Sequence, residues 1–342
     1  MAKQKQHRIL ISRPDRIGDV VLSTPIPREI KKTYPGSFVA MLVRSYTKEI
    51  FLNNPHVDEI ILADEILNGT KADVFKLAKK IKKYKFTHAL MLLPNERINY
   101  LLFLAGIKTR VGVGYKFYQF ITGVKSVSRK KYIPLRHEAD YCMDLARRIG
   151  VKTDNLKPEI FLTDEEKEES SKIKKKLLGD KKLLVGIHTS SGKSAPNWTT
   201  ESYIQLIDEL NKIPEIEIVV TDNEKPKVLE TNAELKFPNI DKTLRESIVN
   251  FNSLDLLVSA STGPMHICSA LDIKTVAMFC PLNVLSPKLW GPLGNESTEI
   301  LPSENYCQIK CPGDPKKCTF EGEGGISVEK VKSEVLKLLK IS

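Results

Sequence analysis

The sequence predicts an α/β protein made of two units, each a parallel sheet covered by helices on both faces. Three observations carry that prediction. At 342 residues the chain exceeds what one hydrophobic core usually supports, so two domains of roughly 150 residues are expected. Short, near-continuous apolar runs alternate with amphipathic stretches through both halves, the pattern of parallel strands buried on two faces. A strongly charged stretch, 151–182, with Lys157-Pro158 and then Thr163-Asp-Glu-Glu-Lys, divides the halves.

The elements follow in order. In the first half, strands are expected at 9–12, 38–43, 59–62 and 89–93, and helices at 20–33, 73–83, 97–105 and 139–149. Thr163 has the character of an N-cap before a polar helix, 164–178, placed as a linker between the domains. The second half reads as strands at 183–187, 216–221, 254–259 and 275–279, with helices at 200–211, 227–234, 244–250 and 266–271. Val328, Val331, Val335, Leu336 and Leu339 recur at helical spacing in 327–341, behind a serine cap. The divisions are therefore 1–160, 161–182, 183–325 and 326–342.

Composition narrows the class further. No apolar run approaches the ~18–20 residues that span a bilayer. The polar N-terminus passes directly into a strand without a signal peptide, which points to the cytoplasm. The net charge of +11 is mostly lysine, concentrated in 76–85, 129–136 and 172–182. Solvated helix faces account for most of it. What remains suits an anionic lipid or glycolipid partner, because no nucleic-acid module or interleaved aromatics accompany the charge. Cys142, Cys268 and Cys280 lie in apolar contexts as core thiols. Cys307, Cys311 and Cys318 are spaced C-x3-C-x6-C without a CxxC pair, so no metal is assigned to them.

Two open parallel sheets direct attention to the loops after their strands, at a crevice between the domains. Arg13-Pro-Asp-Arg-Ile-Gly-Asp19 follows the first strand. There Asp19 is either a helix cap or a general base, and Arg13 and Arg16 either hold an anionic partner or keep the carboxylate ionised. The loop is not GxGxxG, which disfavours a dinucleotide-dependent oxidoreductase. After 183–187, the hydroxyl-rich loop 188–198 offers Thr189, Ser190 and Lys193 to a pyrophosphate, while Trp198 packs where the next helix begins. Asp222-Asn-Glu224 follows the next strand, where acidic groups meet a ribose or base edge. Finally, Ser261-Thr-Gly-Pro-Met-His266 joins a strand to a helix. Such a turn exposes backbone N–H groups and the positive end of the helix dipole to a phosphate. Gly263 permits close approach there, Thr262 supplies a hydroxyl and His266 an imidazole.

In this order the motifs resemble glycosyltransferase family 9, the lipopolysaccharide heptosyltransferases. They are Ile-Gly-Asp-Val (17–20), Leu-Pro-Asn (93–95), Ala-Gly-Ile-Lys-Thr-Arg-Val-Gly (105–112), Lys-Thr-Leu-Arg-Glu (242–246), Ser-Thr-Gly-Pro-Met-His-Ile (261–267) and Thr-Val-Ala-Met-Phe-Cys-Pro (275–281). The cysteine-containing tail, 307–318, is similar as well. The resemblance implies a GT-B architecture of two Rossmann-like domains, with the last helix packing back on the N-terminal domain. It implies inverting, metal-independent and cofactor-free transfer of a sugar, typically from ADP-heptose, to a lipopolysaccharide core acceptor. Asp19 would be the base. Ser261, Thr262, Gly263, His266 and Glu224 would hold the donor, beside the Thr189, Ser190 and Lys193 loop. Arg13, Arg16 and Asn95 would face the acceptor. Ser261 stands where the family carries aspartate, and Pro196 where it carries a lysine. These departures support an alternative, a catalytically impaired member that binds a nucleotide or glycan.

Overall fold

The computed structural model describes residues 6–192, 195–226 and 235–341. The chain divides into two compact units, Met1–Phe161 and Leu162–Ser342.

The first unit runs β1 (Arg8–Ser12), α1 (Ile17–Val21), α2 (Pro25–Thr33), β2 (Phe38–Val43), β3 (Glu59–Leu62), α3 (Asp64–Asn68), α4 (Lys71–Lys83), β4 (His88–Met91), α5 (Glu96–Leu104), β5 (Thr109–Val113), α6 (Phe117–Ile121), β6 (Lys125–Val127) and α7 (Glu138–Arg147). Its strands form one parallel sheet in the order β3-β2-β1-β4-β5-β6. The sheet grows outward in both directions from the β1/β4 pair, so the loop after β1 lies where the strand order reverses, the usual ligand position in such sheets. Apolar residues of β1, β2 and β4 pack against Val74, Leu77 and Ile81 of α4 and Ile98, Leu101 and Leu102 of α5. Elsewhere in the unit α7 packs on α2.

The single helix expected at 20–33 is two helices. Pro25 lacks the N–H that a continuing helix needs, and it starts α2 at a position where that N–H has no role. Strands β5 and β6 were not anticipated; they are short and interrupted by Arg110, Gly112 and Lys125.

The second unit runs α8 (Asp164–Leu178), β7 (Leu183–Ile187), α9 (Thr200–Asn211), β8 (Ile216–Val220), α10 (Leu244–Asn252), β9 (Leu256–Ala260), α11 (Gly263–Ala270), β10 (Lys274–Met278), α12 (Pro287–Trp290), β11 (Ser297–Ile300), α13 (Tyr306–Ile309) and α14 (Val328–Leu339). The parallel order is β11-β10-β9-β7-β8, so the loops after the neighbours β7 and β9 again flank the point of reversal. Gly186 lies in the middle of β7. A Cβ there would meet Leu254 Cδ1 at 2.6 Å, and the absent side chain leaves room for this residue of the turn between α10 and β9.

Two helices sit differently from expectation. The helix expected as an interdomain linker, α8, packs on α10, β7 and β8 within the second unit. Thr163 and Glu166 form its capping box, and Arg245 of α10 donates to Glu166 at 2.6 and 2.5 Å. The last helix, expected to return to the N-terminal domain, packs on α9, β9, β10 and β11. Its Val328, Val331 and Val335 join Tyr203, Leu206 and Leu210 in the second core. That burial is what the 3.6-residue apolar spacing provides for. The helix expected at 227–234 lies outside the described residues. No helix among the described residues is long and apolar enough to cross a membrane.

Candidate functional site

In the first unit, the loop after β1 assembles a buried charge network. Arg13 is 2% exposed and is oriented by the carbonyl of Leu92, to which it donates at 3.1 Å. Its Nη2 donates to Asp19 and, at 3.2 Å, to Glu138. Glu138 opens α7, is 1% exposed, and accepts from both Nη atoms of Arg129 at 2.9 and 2.8 Å. Two arginines and two carboxylates thus alternate, with Asp15 3.7 Å from Arg13 Nε. Asp19 sits in the first turn of α1 and keeps a fifth of its side chain exposed at the open end of the chain of charges.

The electrostatics follow from this arrangement. Burial pushes the Asp19 carboxyl up to about 6; Arg13 pulls it back, while Asp15 and Glu138 push it further. Burial opposes the charge on Arg13 too, but the surrounding Cys142, Asp19, Glu138 and Asp15 outweigh it and hold the guanidinium above its ordinary range. A carboxylate that is ionised at neutral pH yet more basic than an ordinary aspartate has the character of a general base.

The placements of the first-unit candidates differ from one another. Arg13 was expected either to hold an anionic acceptor or to keep the Asp19 carboxylate ionised; it is buried and donates to Asp19 and Glu138. Arg16 is exposed beside it. Asn95 was expected at the acceptor as well; its side chain accepts from the N–H of Ile98 at 3.1 Å and caps α5. Glu138 and Arg129 were missed, because nothing local in the sequence marks them.

In the second unit, two loops at the carboxyl ends of β7 and β9 carry the polar groups. Asp222, buried after β8, accepts from the backbone N–H groups of Thr189 and Ser190 at 2.8 and 2.9 Å and from the Thr189 hydroxyl at 3.1 Å. Asn197 donates to the Thr189 carbonyl at 2.6 Å, and Tyr203 donates to Asn197 at 2.8 Å. The hydroxyl of Thr189 is therefore committed to the loop's own scaffold. Ser190 Oγ lies 3.3 Å from His188 Nε2, and His188 Nδ1 lies 3.2 Å from Thr221 Oγ1. Asp222 is a brace for this loop, while Glu224 is exposed two residues later. Lys193 lies outside the described residues. Trp198 is buried and donates to the carbonyl of Ile326 at 2.9 Å.

The turn after β9 presents a different state. Thr262 is the N-cap of α11 by backbone geometry, yet its hydroxyl makes no cap bond. Thr262 Oγ1 and, three residues earlier, Ser259 Oγ are buried without a hydrogen-bond partner among the described residues. Buried hydroxyls are ordinarily satisfied, and Thr262 Oγ1 is an orphan at a helix N-terminus, where the exposed N–H groups and the helix dipole suit an anion. Gly263 and Pro264 begin the helix, Ser261 is partly exposed, and His266 is buried in the first turn. Cys307, Cys311 and Cys318 are free thiols. Among the described residues no group of three His, Cys, Asp or Glu is arranged to hold a metal ion.

Comparison with known proteins agrees with this architecture. The model of glycosyltransferase family 9 (heptosyltransferase) matches residues 74–318. Lipopolysaccharide heptosyltransferase 2 of Escherichia coli (strain K12) is 23% identical over 353 residues, covering 97% of this chain and 98% of that protein. Two solved structures share the fold. The glycosyl transferase family 9 structure from Veillonella parvula has a TM-score of 0.79 at 20% identity, covering 98% of this chain and 97% of that one. The ADP-heptose lipopolysaccharide heptosyltransferase II of Escherichia coli has a TM-score of 0.76 at 18% identity, covering 97% and 98%. The fold is therefore GT-B, and the chain belongs to glycosyltransferase family 9, the heptosyltransferases, as an enzyme of that glycosyltransferase class.

Proposed function

We propose that this glycosyltransferase moves a heptose from ADP-heptose to a lipopolysaccharide core acceptor with inversion at the anomeric carbon, and that Asp19 is the general base. The observation that carries the reading is the state of Asp19: largely buried with a fifth of its side chain open to solvent, tied to a buried arginine, and raised to about 6. The acceptor hydroxyl attacks the anomeric carbon and passes its proton to Asp19. The bond from that carbon to the diphosphate oxygen breaks, and ADP leaves with the electron pair. One displacement at one carbon inverts its configuration.

The donor's charge is met in the second unit. The N-terminus of α11, Thr262 and Gly263 face the diphosphate, with Ser190, Ser261 and His266 around it and Glu224 on the adenosine side. The growing charge of the leaving diphosphate is stabilised by these dipoles and donors without a metal ion. The E. coli relatives, named for ADP-heptose and for lipopolysaccharide, support this choice of donor and acceptor. Arg16 lies on the acceptor side, in the company of an anionic glycolipid at the inner membrane surface.

The test is Asp19→Asn with ADP-heptose and a purified core acceptor, read by mass spectrometry and by calorimetric binding of ADP. The expected result is a fall in kcat of about 10²- to 10⁴-fold, with ADP affinity unchanged and the wild-type rate insensitive to EDTA. Wild-type protein that binds ADP and transfers no sugar would favour the alternative of an impaired binder, for which Ser261 is the motive. Full transfer by the variant would remove Asp19 from the mechanism.

A further inference from the structure

From Arg97 through His137 the chain contains nine Lys and Arg residues and no Asp or Glu. No other feature of the composition is so one-sided, since the whole chain carries 53 basic and 42 acidic residues. Four of the nine are used internally. Arg97 donates to the carbonyls of Ile66 and Gly69, Arg110 to those of Ile107 and Thr122, Arg129 to Glu138, and Arg136 to Asp140 and Asp144. Lys108, Lys116, Lys125 and Lys130 are exposed and make no ion pair among the described residues. They are unsatisfied by the fold and available to an outside anion.

Among the described residues, the same stretch holds the three most exposed large apolar side chains, Phe120, Phe117 and Tyr115. Tyr115, Phe117, Phe120 and Ile121 are 75%, 79%, 83% and 59% exposed, all on or next to α6. Phe103 and Leu104, also exposed, end α5, and α5 packs on α6. Helix α6 leads into β6, the edge strand of its sheet, so nothing within the unit continues past this corner. Its backbone is nevertheless well tied. Gln119 is fully buried, donates to the Val113 carbonyl at 3.1 Å and accepts from the Lys116 N–H at 2.9 Å. Asn99 of α5 bonds Thr122 at 2.9 Å. The aromatic rings therefore stand out from a fixed scaffold.

We propose that the α6 corner is a membrane-docking surface that inserts Phe117, Phe120 and Ile121 into the headgroup boundary of an anionic bilayer, with Lys108, Lys116, Lys125 and Lys130 on the lipid phosphates. Charge complementarity selects the occupant. A second copy of the chain would bring the same unpaired lysines face to face, whereas an anionic leaflet neutralises them. Aliphatic Ile121 and Leu104 among the rings suit the hydrocarbon boundary and offer nothing to stacked bases. Lysine stems reach along apolar surface while their heads stay in water, the arrangement expected at such a boundary. The inference does not depend on which sugar the enzyme transfers.

The experiment is flotation of the full-length chain with vesicles, free of any donor or acceptor. Vesicles of neutral phosphatidylcholine are compared with vesicles containing anionic phosphatidylglycerol. Wild-type protein is expected to float with the anionic vesicles, to bind neutral ones weakly, and to be released in part by 0.5 M salt, at which exposed charges are screened within about 4 Å. Phe117→Ser/Phe120→Ser is expected to reduce binding by about tenfold or more. Lys116→Glu/Lys125→Glu should do the same while the far-UV spectrum and melting curve stay those of the wild type. In Phe117→Trp, the fluorescence should shift to the blue on anionic vesicles. Wild type that fails to float, or a serine variant that floats as well as wild type, overturns the proposal. So does light scattering that shows a dimer dissolved by the same serine substitutions. Loss of transfer activity with vesicle binding intact would instead bear on the reaction alone.

Discussion

Glu138 shows how a single buried carboxylate organises a reactive one that it never touches. It accepts from Arg13 and Arg129, and Arg13 in turn holds Asp19. Arg13 and Glu138 are 125 positions apart, so no spacing rule could pair them; the sequence displayed the base but not the residues that tune it. Converting Glu138 to Gln removes a negative charge that raises Asp19. The expected result is an acid limb of the kcat profile that moves below about 6, because Asp19 then gives up its proton more readily. The same change leaves two buried guanidiniums short of one counter-charge, and a loss of about 3–5 kcal/mol in stability is expected. Denaturant unfolding alongside the pH profile measures both. A profile whose limb stays in place would show that Glu138 is structural only.

At the scale of elements, the turn between β9 and α11 differs from the starts of α8, α9 and α10. Thr163, Thr199 and Thr243 each accept a backbone N–H at their own N-caps, whereas Thr262 does not. Its hydroxyl is therefore not a structural cap, and Thr262→Val should shift stability by only about 0.5 kcal/mol. ADP binding is expected to weaken about tenfold, the cost of one hydrogen bond to a charged group, as calorimetry would record. A stable variant with unchanged ADP affinity would take Thr262 out of the donor site. Two of the strands the sequence hid share a cause. Strands β6 and β11 are edges with one neighbour each, so Lys-Ser-Val and Ser-Thr-Glu-Ile can serve without an apolar run. The inner strands β1, β2, β4, β7, β9 and β10 had no such freedom and were legible as written, whereas the inner strand β5 is broken up by Arg110 and Gly112 and was not.

For the molecule as a whole, alternation of apolar runs with amphipathic stretches was enough to give two parallel sheets, since each strand and helix must bury its apolar face against another. The roles of the loops were legible in kind but not in detail. Thr189 and Asp222 showed their chemistry in the sequence, and only the fold shows that each satisfies the other. The destination of the last helix was read from the family pattern, while its own apolar stripe is buried in the second core.

The raised carboxyl of Asp19 has a thermodynamic side. A group whose pKa is higher in the folded chain than its ordinary value of 3.8 favours folding when protonated, so that stability is fully present below about pH 4 and lost as the pH rises through about 6. The ionised base is thus a standing strain on the native state, on the order of 3 kcal/mol at neutral pH. Asp19→Asn carries no charge to bury. The inactive variant should melt at a higher temperature than wild type at pH 8, and the gap should close as the pH falls toward 4. Coincident melting curves at both pH values would mean that the carboxylate is accommodated without cost. An enzyme that keeps its reactive group at the expense of its own fold gains stability from the substitution that silences it.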